Sequence, residues 1–153
     1  MNLYLTEMKW SLIILTFFIF GCKSTLIENG KFSLGQEFEI KFGEEKTLST
    51  GELSVKFDSL LTDSRCAIGV VCVWEGEAQI RLKLNFNDIG TQEYHYLKIK
   101  GYVNKENTAQ HQSIVAKYFL ITLMQLDPYP VHNVPRDQEK YKALLKIEII
   151  ERK

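Results

Sequence analysis

Hydrophobic and polar positions alternate through most of the chain beyond residue 31. The clearest run sets Ala78, Ile80, Leu82, Leu84 and Phe86 against Gln79, Arg81, Lys83, Asn85 and Asn87. Spacing of two places every apolar side chain of an extended strand on one face and leaves the other face wet. Phe38, Ile40 and Phe42 follow the same rule, as do Leu53, Val55 and Phe57, and near the end Tyr141, Ala143, Leu145, Ile147 and Ile149. Two segments differ. Tyr118 to Leu126 is apolar at nearly every position, the pattern of a strand covered on both faces. Glu93 to Lys100 carries Tyr94 and Tyr96 on one parity and Leu97 and Ile99 on the other, so its inward face is open. Turn chemistry separates these runs at Phe42-Gly43-Glu44, Ser49-Thr50-Gly51, Asn87-Asp88-Ile89-Gly90 and Asp127-Pro128-Tyr129-Pro130. The pattern predicts an all-β fold: an antiparallel, immunoglobulin-like β-sandwich of about seven short strands. Short helices fit only at Asn107 to Ala116 or just after Pro135.

The amino terminus obeys another rule. Lys9 precedes an apolar run from Trp10 to Phe20, which ends on Ile19-Phe20-Gly21-Cys22. That run has the length of a signal-peptide core and is too short to span a bilayer. A small residue followed by cysteine is similar to the lipid-modification box of bacterial lipoproteins, in which the cysteine is acylated and becomes the mature first residue. The resemblance implies lipidation at Cys22, palmitate among the acyl chains, and a membrane-tethered protein of the cell envelope. The outer membrane is the expected site, on either its periplasmic or its surface face. Phe20 is bulkier than the usual residue before Gly-Cys, and Met8-Lys9 makes a cleaner start than Met1. The chain thus divides into a signal peptide (1–21), a polar tether (22–31) and one β-sandwich domain (32–153).

Charge narrows the partners. Lysines and arginines number 19, as do aspartates and glutamates, and the signal removes one of each, Lys9 and Glu7. The mature chain is formally neutral and has no Lys/Arg block, so nucleic acid is not an expected partner.

Two cysteines remain besides Cys22. Cys66 and Cys72 sit in Asp63-Ser64-Arg65-Cys66-Ala67-Ile68-Gly69-Val70-Val71-Cys72-Val73-Trp74-Glu75-Gly76-Glu77-Ala78. An even pair at this spacing in an oxidising compartment predicts a local disulfide. Trp74 follows closely enough for its ring to cover that bond, and Gly76 permits a bulge or a tight approach. Asp63 and Arg65 flank the loop as a bidentate pair at its base. Two readings of the loop stand side by side. In one the cluster is structural and Ile68, Val70 and Val71 face the core. In the other they form, with Trp74, an apolar tip offered to a partner.

The run resembles a motif of short secreted and lipid-anchored bacterial proteins, common in Bacteroidetes, of the form D-S-R-C-P-x-x-V-x-C-V-W-x-G-x-A. Asp63, Ser64, Arg65, Cys66, Val70, Cys72, Val73, Trp74, Gly76 and Ala78 match, whereas Ala67 replaces the usual proline. The similarity covers this segment and extends to Leu126-Asp127-Pro128-Tyr129-Pro130. It implies placement in the envelope and carries no mechanism.

Catalytic patterns are weak. The cysteine spacing is wrong for a C-x-x-C redox site, and His95, His111 and His132 are dispersed, so no metal or cofactor is expected. The best paper constellation for a hydrolase is Asp63 and His95 with Ser64 or Glu77, without a nucleophile elbow. The sequence therefore points to a non-enzymatic binding or scaffolding module with a protein partner in the envelope. The alternatives are a protease inhibitor acting through sandwich-end loops and a small periplasmic hydrolase.

Overall fold

The computed structural model describes residues 30–101 and 111–150. Nine strands pack as two sheets, with no α-helix among the described residues. One sheet runs in the order β1 (Lys31–Phe32), β3 (Glu45–Leu48), β4 (Leu53–Asp63), β5 (Glu77–Phe86), β6 (Thr91–Lys100). The other runs β2 (Glu37–Lys41), β9 (Lys142–Ile149), β8 (Phe119–Asp127), β7 (Gln112–Ala116). Every pairing is antiparallel except β1 on β3. The β-sandwich expected from the alternation is the fold. Beyond the six alternating or apolar runs, the sandwich adds β1, two residues long and too short to show a period, together with β3 and β7.

The alternation sets the core directly. Ala78, Ile80, Leu82, Leu84 and Phe86 of β5 are all buried, and they face Ile121, Leu123, Leu145 and Ile147 within one apolar cluster. The ambiguous strand β6 turns Leu97 and Ile99 inward and leaves Tyr94 and Tyr96 half exposed. Ile149 ends its run in solvent.

β8 departs from the expected double-covered strand. Phe119, Ile121 and Leu123 point inward while Leu120 and Thr122 stay half-buried; a bulge between Leu123 and Gln125 then switches the inward parity to Leu126. Two alternating registers joined at one bulge read as a continuous apolar run, because an extra residue exchanges the faces. The helix expected at 107–116 is also absent where it is described. Gln112–Ala116 is a strand, hairpinned onto β8 through Lys117 at positive φ, with Ile114 and Ala116 turned inward. The stretch after Pro135 forms a single 3₁₀ turn, Gln138–Lys140.

β4 carries two bulges, between Phe57 and Ser59 and between Leu60 and Thr62. Each one flips the face presented, so together they cancel, and Asp63 at the strand's end points into the sandwich. A buried carboxylate thus stands where the core meets the loop that follows. Cys22 and the signal lie outside the described residues, and the tether's last residue, Lys31, already belongs to β1.

Candidate binding surface at the disulfide loop

Asp63 organises the end of the sandwich. Arg65 grips it as a fork: Nε donates to Oδ1 at 2.9 Å and Nη2 to Oδ2 at 2.8 Å. The backbone N–H of Arg65 also donates to Oδ1, and the Tyr141 hydroxyl donates to Oδ2 at 2.8 Å. Arg65 also donates across to β8 and the segment that follows it. Nη1 reaches the Leu126 carbonyl at 2.7 Å and Nη2 the Pro128 carbonyl at 3.1 Å, and the guanidinium lies 4.8 Å from the centre of the Tyr129 ring. Both charges are buried, yet each is satisfied several times over, the condition under which a buried ion pair can be tolerated. The expected bidentate pair is present and does more than hold a loop. It ties β4 to the β8–β9 connection.

Burial pushes the Asp63 carboxyl up, but the Arg65 hydrogen bonds and charge, helped by Tyr141, reverse that and hold it below the ordinary carboxylate value. Burial, followed by donation to Asp63, pushes the Tyr141 hydroxyl up to about 12. The signs give two pH limits. A lowered acid contributes stability above about pH 4, where unfolded aspartate is ionised, and this is lost as pH falls through the lowered value. A raised tyrosine contributes stability present in full below about pH 10 and lost as pH climbs toward 12. Tyr141→Phe is expected to cost about 1–3 kcal/mol at neutral pH, since it strips a donor from a buried carboxylate. It should also flatten the alkaline limb of a plot of urea midpoint against pH.

The loop itself is built on strand ends that continue to pair. Ser64 N–H donates to the Glu77 carbonyl and Cys66 N–H to the Glu75 carbonyl, both at 2.8 Å. Gly76 makes this approach possible: it sits at φ +69°, and a Cβ there would fall 2.0 Å from the Ser64 carbonyl oxygen. Cys66 and Cys72 form the expected disulfide, with Cα atoms 5.9 Å apart. Cys66 is 3 % exposed, whereas Cys72 lies at the surface. Closing so short a loop contributes about 2–3 kcal/mol on a chain-entropy estimate. The Cys66→Ser/Cys72→Ser variant should therefore lose that much in urea denaturation and still fold.

Trp74 does not cover the disulfide. It is 79 % exposed, next to Val73 at 95 %, with Val71 at 103 %. The second limb of the loop rejoins the sheet only at Glu75, which leaves Val71 to Trp74 standing clear of the body. Ile68 and Val70 are exposed as well, so this loop's apolar residues do not face the core.

A second loop joins them. Ile68 N–H donates to the Pro130 carbonyl at 2.9 Å, His132 N–H donates back to the Ile68 carbonyl at 3.0 Å, and Ile68 bridges Val131 in parallel. Val131 and Val134 are exposed beside it. Sequence reasoning passed over these two valines, whose only signal was proximity to the Pro128-Tyr129-Pro130 turn. The disulfide loop and the segment after β8, some sixty residues apart, thus meet through Arg65 and Ile68, and both expose apolar side chains.

Other candidate groups do not gather. Asp63 is committed to Arg65 and Tyr141, and Ser64 Oγ donates to the Glu77 carbonyl. His95 pairs with Glu93 at 2.8 Å and lies opposite Leu82, four residues along β5 from Ala78, which faces Asp63. The hydrolase constellation of Asp63, His95 and Ser64 or Glu77 is not assembled. Among the described residues, no three His, Cys, Asp or Glu side chains group so as to hold a metal ion. No protein-family model matches the chain, and neither the curated proteins nor the solved structures compared with it yielded a match.

Proposed function

We propose that this chain is a lipid-anchored protein of the cell envelope. Its sandwich presents a rigid apolar rim as a docking surface for another envelope protein. The observation that carries the reading is the exposure of Val71, Val73 and Trp74 on a loop clasped by a disulfide and bonded to a second apolar loop. Apolar side chains grouped and held out in water mark interaction sites, and an anchor already ordered before contact lowers the entropy cost of binding. Anchoring rests on the lipobox-like Ile19-Phe20-Gly21-Cys22.

Two experiments test the parts separately. Mass spectrometry of the mature amino-terminal peptide should find acylated Cys22, and an unmodified thiol or an uncleaved signal there would refute the anchor. A crosslinking pull-down of the full-length protein from its own envelope should recover a partner that Trp74→Ser loses. A buried aromatic anchor is commonly worth 2 kcal/mol or more, so recovery should fall roughly 30-fold in affinity terms. Equal recovery by both forms would refute the rim.

The paired loops at one sandwich end also favour a second reading, insertion into a protease cleft. Inhibition of a papain-like enzyme by the purified domain, lost with Val71→Asp, would select it.

A further inference from the structure

The outer face of the five-stranded sheet carries chemistry that the apolar loops do not use. β6 is the last strand of that sheet and turns Leu97 and Ile99 inward, so Tyr94 and Tyr96 stand half exposed on the outward face. Two rows of side chains cross the sheet to reach them. In one, Lys56 lies opposite Lys83 and Lys83 opposite Tyr94. In the next, Ser59 lies opposite Arg81 and Arg81 opposite Tyr96, with Asp58 in the bulge alongside.

Arg81 is fixed in place. Its Nε donates to Asp58 Oδ2 at 2.6 Å, its Nη2 lies 2.6 Å from the same oxygen, and its guanidinium carbon is 5.2 Å from the centre of the Tyr94 ring. Ser59 Oγ donates to that oxygen as well, at 2.7 Å. These contacts converge on Oδ2, and no donor among the described residues reaches Oδ1. The bulge of β4 therefore presents a positioned, open acceptor beside two exposed aromatic rings.

Lys56 and Lys83 have the opposite need. Like charges directly opposite on one face of a sheet repel each other. Among the described residues neither lysine joins an ion pair, because the acids of this face are engaged elsewhere. Asp58 serves Arg81, Glu77 pairs with Lys98 at 2.6 Å, and Glu45, opposite Lys56, accepts from Asn85 Nδ2 at 3.5 Å. An anionic ligand would compensate the pair. The C–H faces of a sugar stack on tyrosine rings, its hydroxyls donate to a carboxylate oxygen, and an acidic substituent pairs with lysine. A phosphodiester chain satisfies the lysines equally but offers Asp58 few hydroxyl donors.

We propose that the outer face of β4, β5 and β6 binds a carboxylate-bearing oligosaccharide. Its rings lie on Tyr94 and Tyr96, its acidic groups on Lys56 and Lys83, and a hydroxyl donates to Asp58.

Titration calorimetry of the detergent-solubilised full-length protein tests this. Oligogalacturonate and hyaluronan oligosaccharides are the acidic probes, with maltohexaose and oligodeoxythymidylate as controls. An acidic oligosaccharide should bind in preference to both controls, and more weakly as salt is raised. Tyr96→Ala should lower that affinity roughly tenfold by removing one stacking surface. Lys83→Gln should lower it by about the same factor, with a melting temperature equal to or above that of the wild type, since it relieves the repulsion with Lys56. Trp74→Ser should bind the sugar as the wild type does, which separates this face from the docking surface proposed above. Failure of both acidic probes to bind, equal binding of maltohexaose, tighter binding of oligodeoxythymidylate, or an affinity unchanged by both substitutions would each overturn the proposal.

Discussion

Arg65→Ala should destabilise the domain by about 3–5 kcal/mol, the usual cost of removing one partner from a buried, hydrogen-bonded ion pair. The loss leaves the Asp63 carboxylate, buried at the end of the core, with Tyr141 as its remaining side-chain donor, and it strips donors from the Leu126 and Pro128 carbonyls. For a domain of this size the change corresponds to a fall in Tm of roughly 10–20 °C. Arg65→Lys keeps the charge but cannot serve Asp63 through two nitrogens while reaching both carbonyls, so it should recover only part of the loss. Thermal melts of the three proteins check this. If Arg65→Ala melted within a few degrees of wild type, the buried fork would not be what joins the two sheets at this end.

Gly76→Ala should be nearly as damaging, although it adds a single methyl group. The added Cβ would lie 2.0 Å from the Ser64 carbonyl oxygen and 3.0 Å from the Arg65 Cα, both backbone atoms that cannot swing aside. The left-handed backbone at φ +69° adds about 1–2 kcal/mol for a residue with a side chain. Together with the usual 1–3 kcal/mol for overpacking, a loss of about 3 kcal/mol or more is expected. Gly51 offers the control, because it has a comparable φ of +86° with nothing within 4 Å of its would-be Cβ. Gly51→Ala should show the conformational cost alone. The difference between the two urea midpoints then isolates the contact with Ser64.

Much of the fold is legible because burial in a sandwich follows residue parity. β5 illustrates it, with all five of its odd-against-even apolar positions buried. Parity fails where a strand is bulged, as at Met124 in β8, or where the segment is too short, as in β1. The helix expected near Asn107 gave way to β7 because Ile114 and Ala116 find their inward neighbours only once β8 is in place. Around the loop, the Asp63–Arg65 pair is local and its residue types announce it. Its partners across the sandwich are backbone carbonyls of Leu126 and Pro128, which leave no trace in residue type. Tyr141 reads as one more apolar position of the β9 run, and nothing in the spacing marks its hydroxyl as a donor to Asp63. The direction of Trp74 depends on where the loop rejoins the sheet. Only the pairing of Cys66 with Glu75 decides that.

The central claim is that the clasped loop holds an apolar rim ready for a protein partner. Its most direct test compares the crosslinked partners of the full-length lipoprotein with those of Cys66→Ser/Cys72→Ser, after urea denaturation has shown that the variant still folds. The account predicts that a partner recovered with the wild type is lost or strongly reduced when the loop is unclasped. Recovery of the same partner at the same level from both would contradict it.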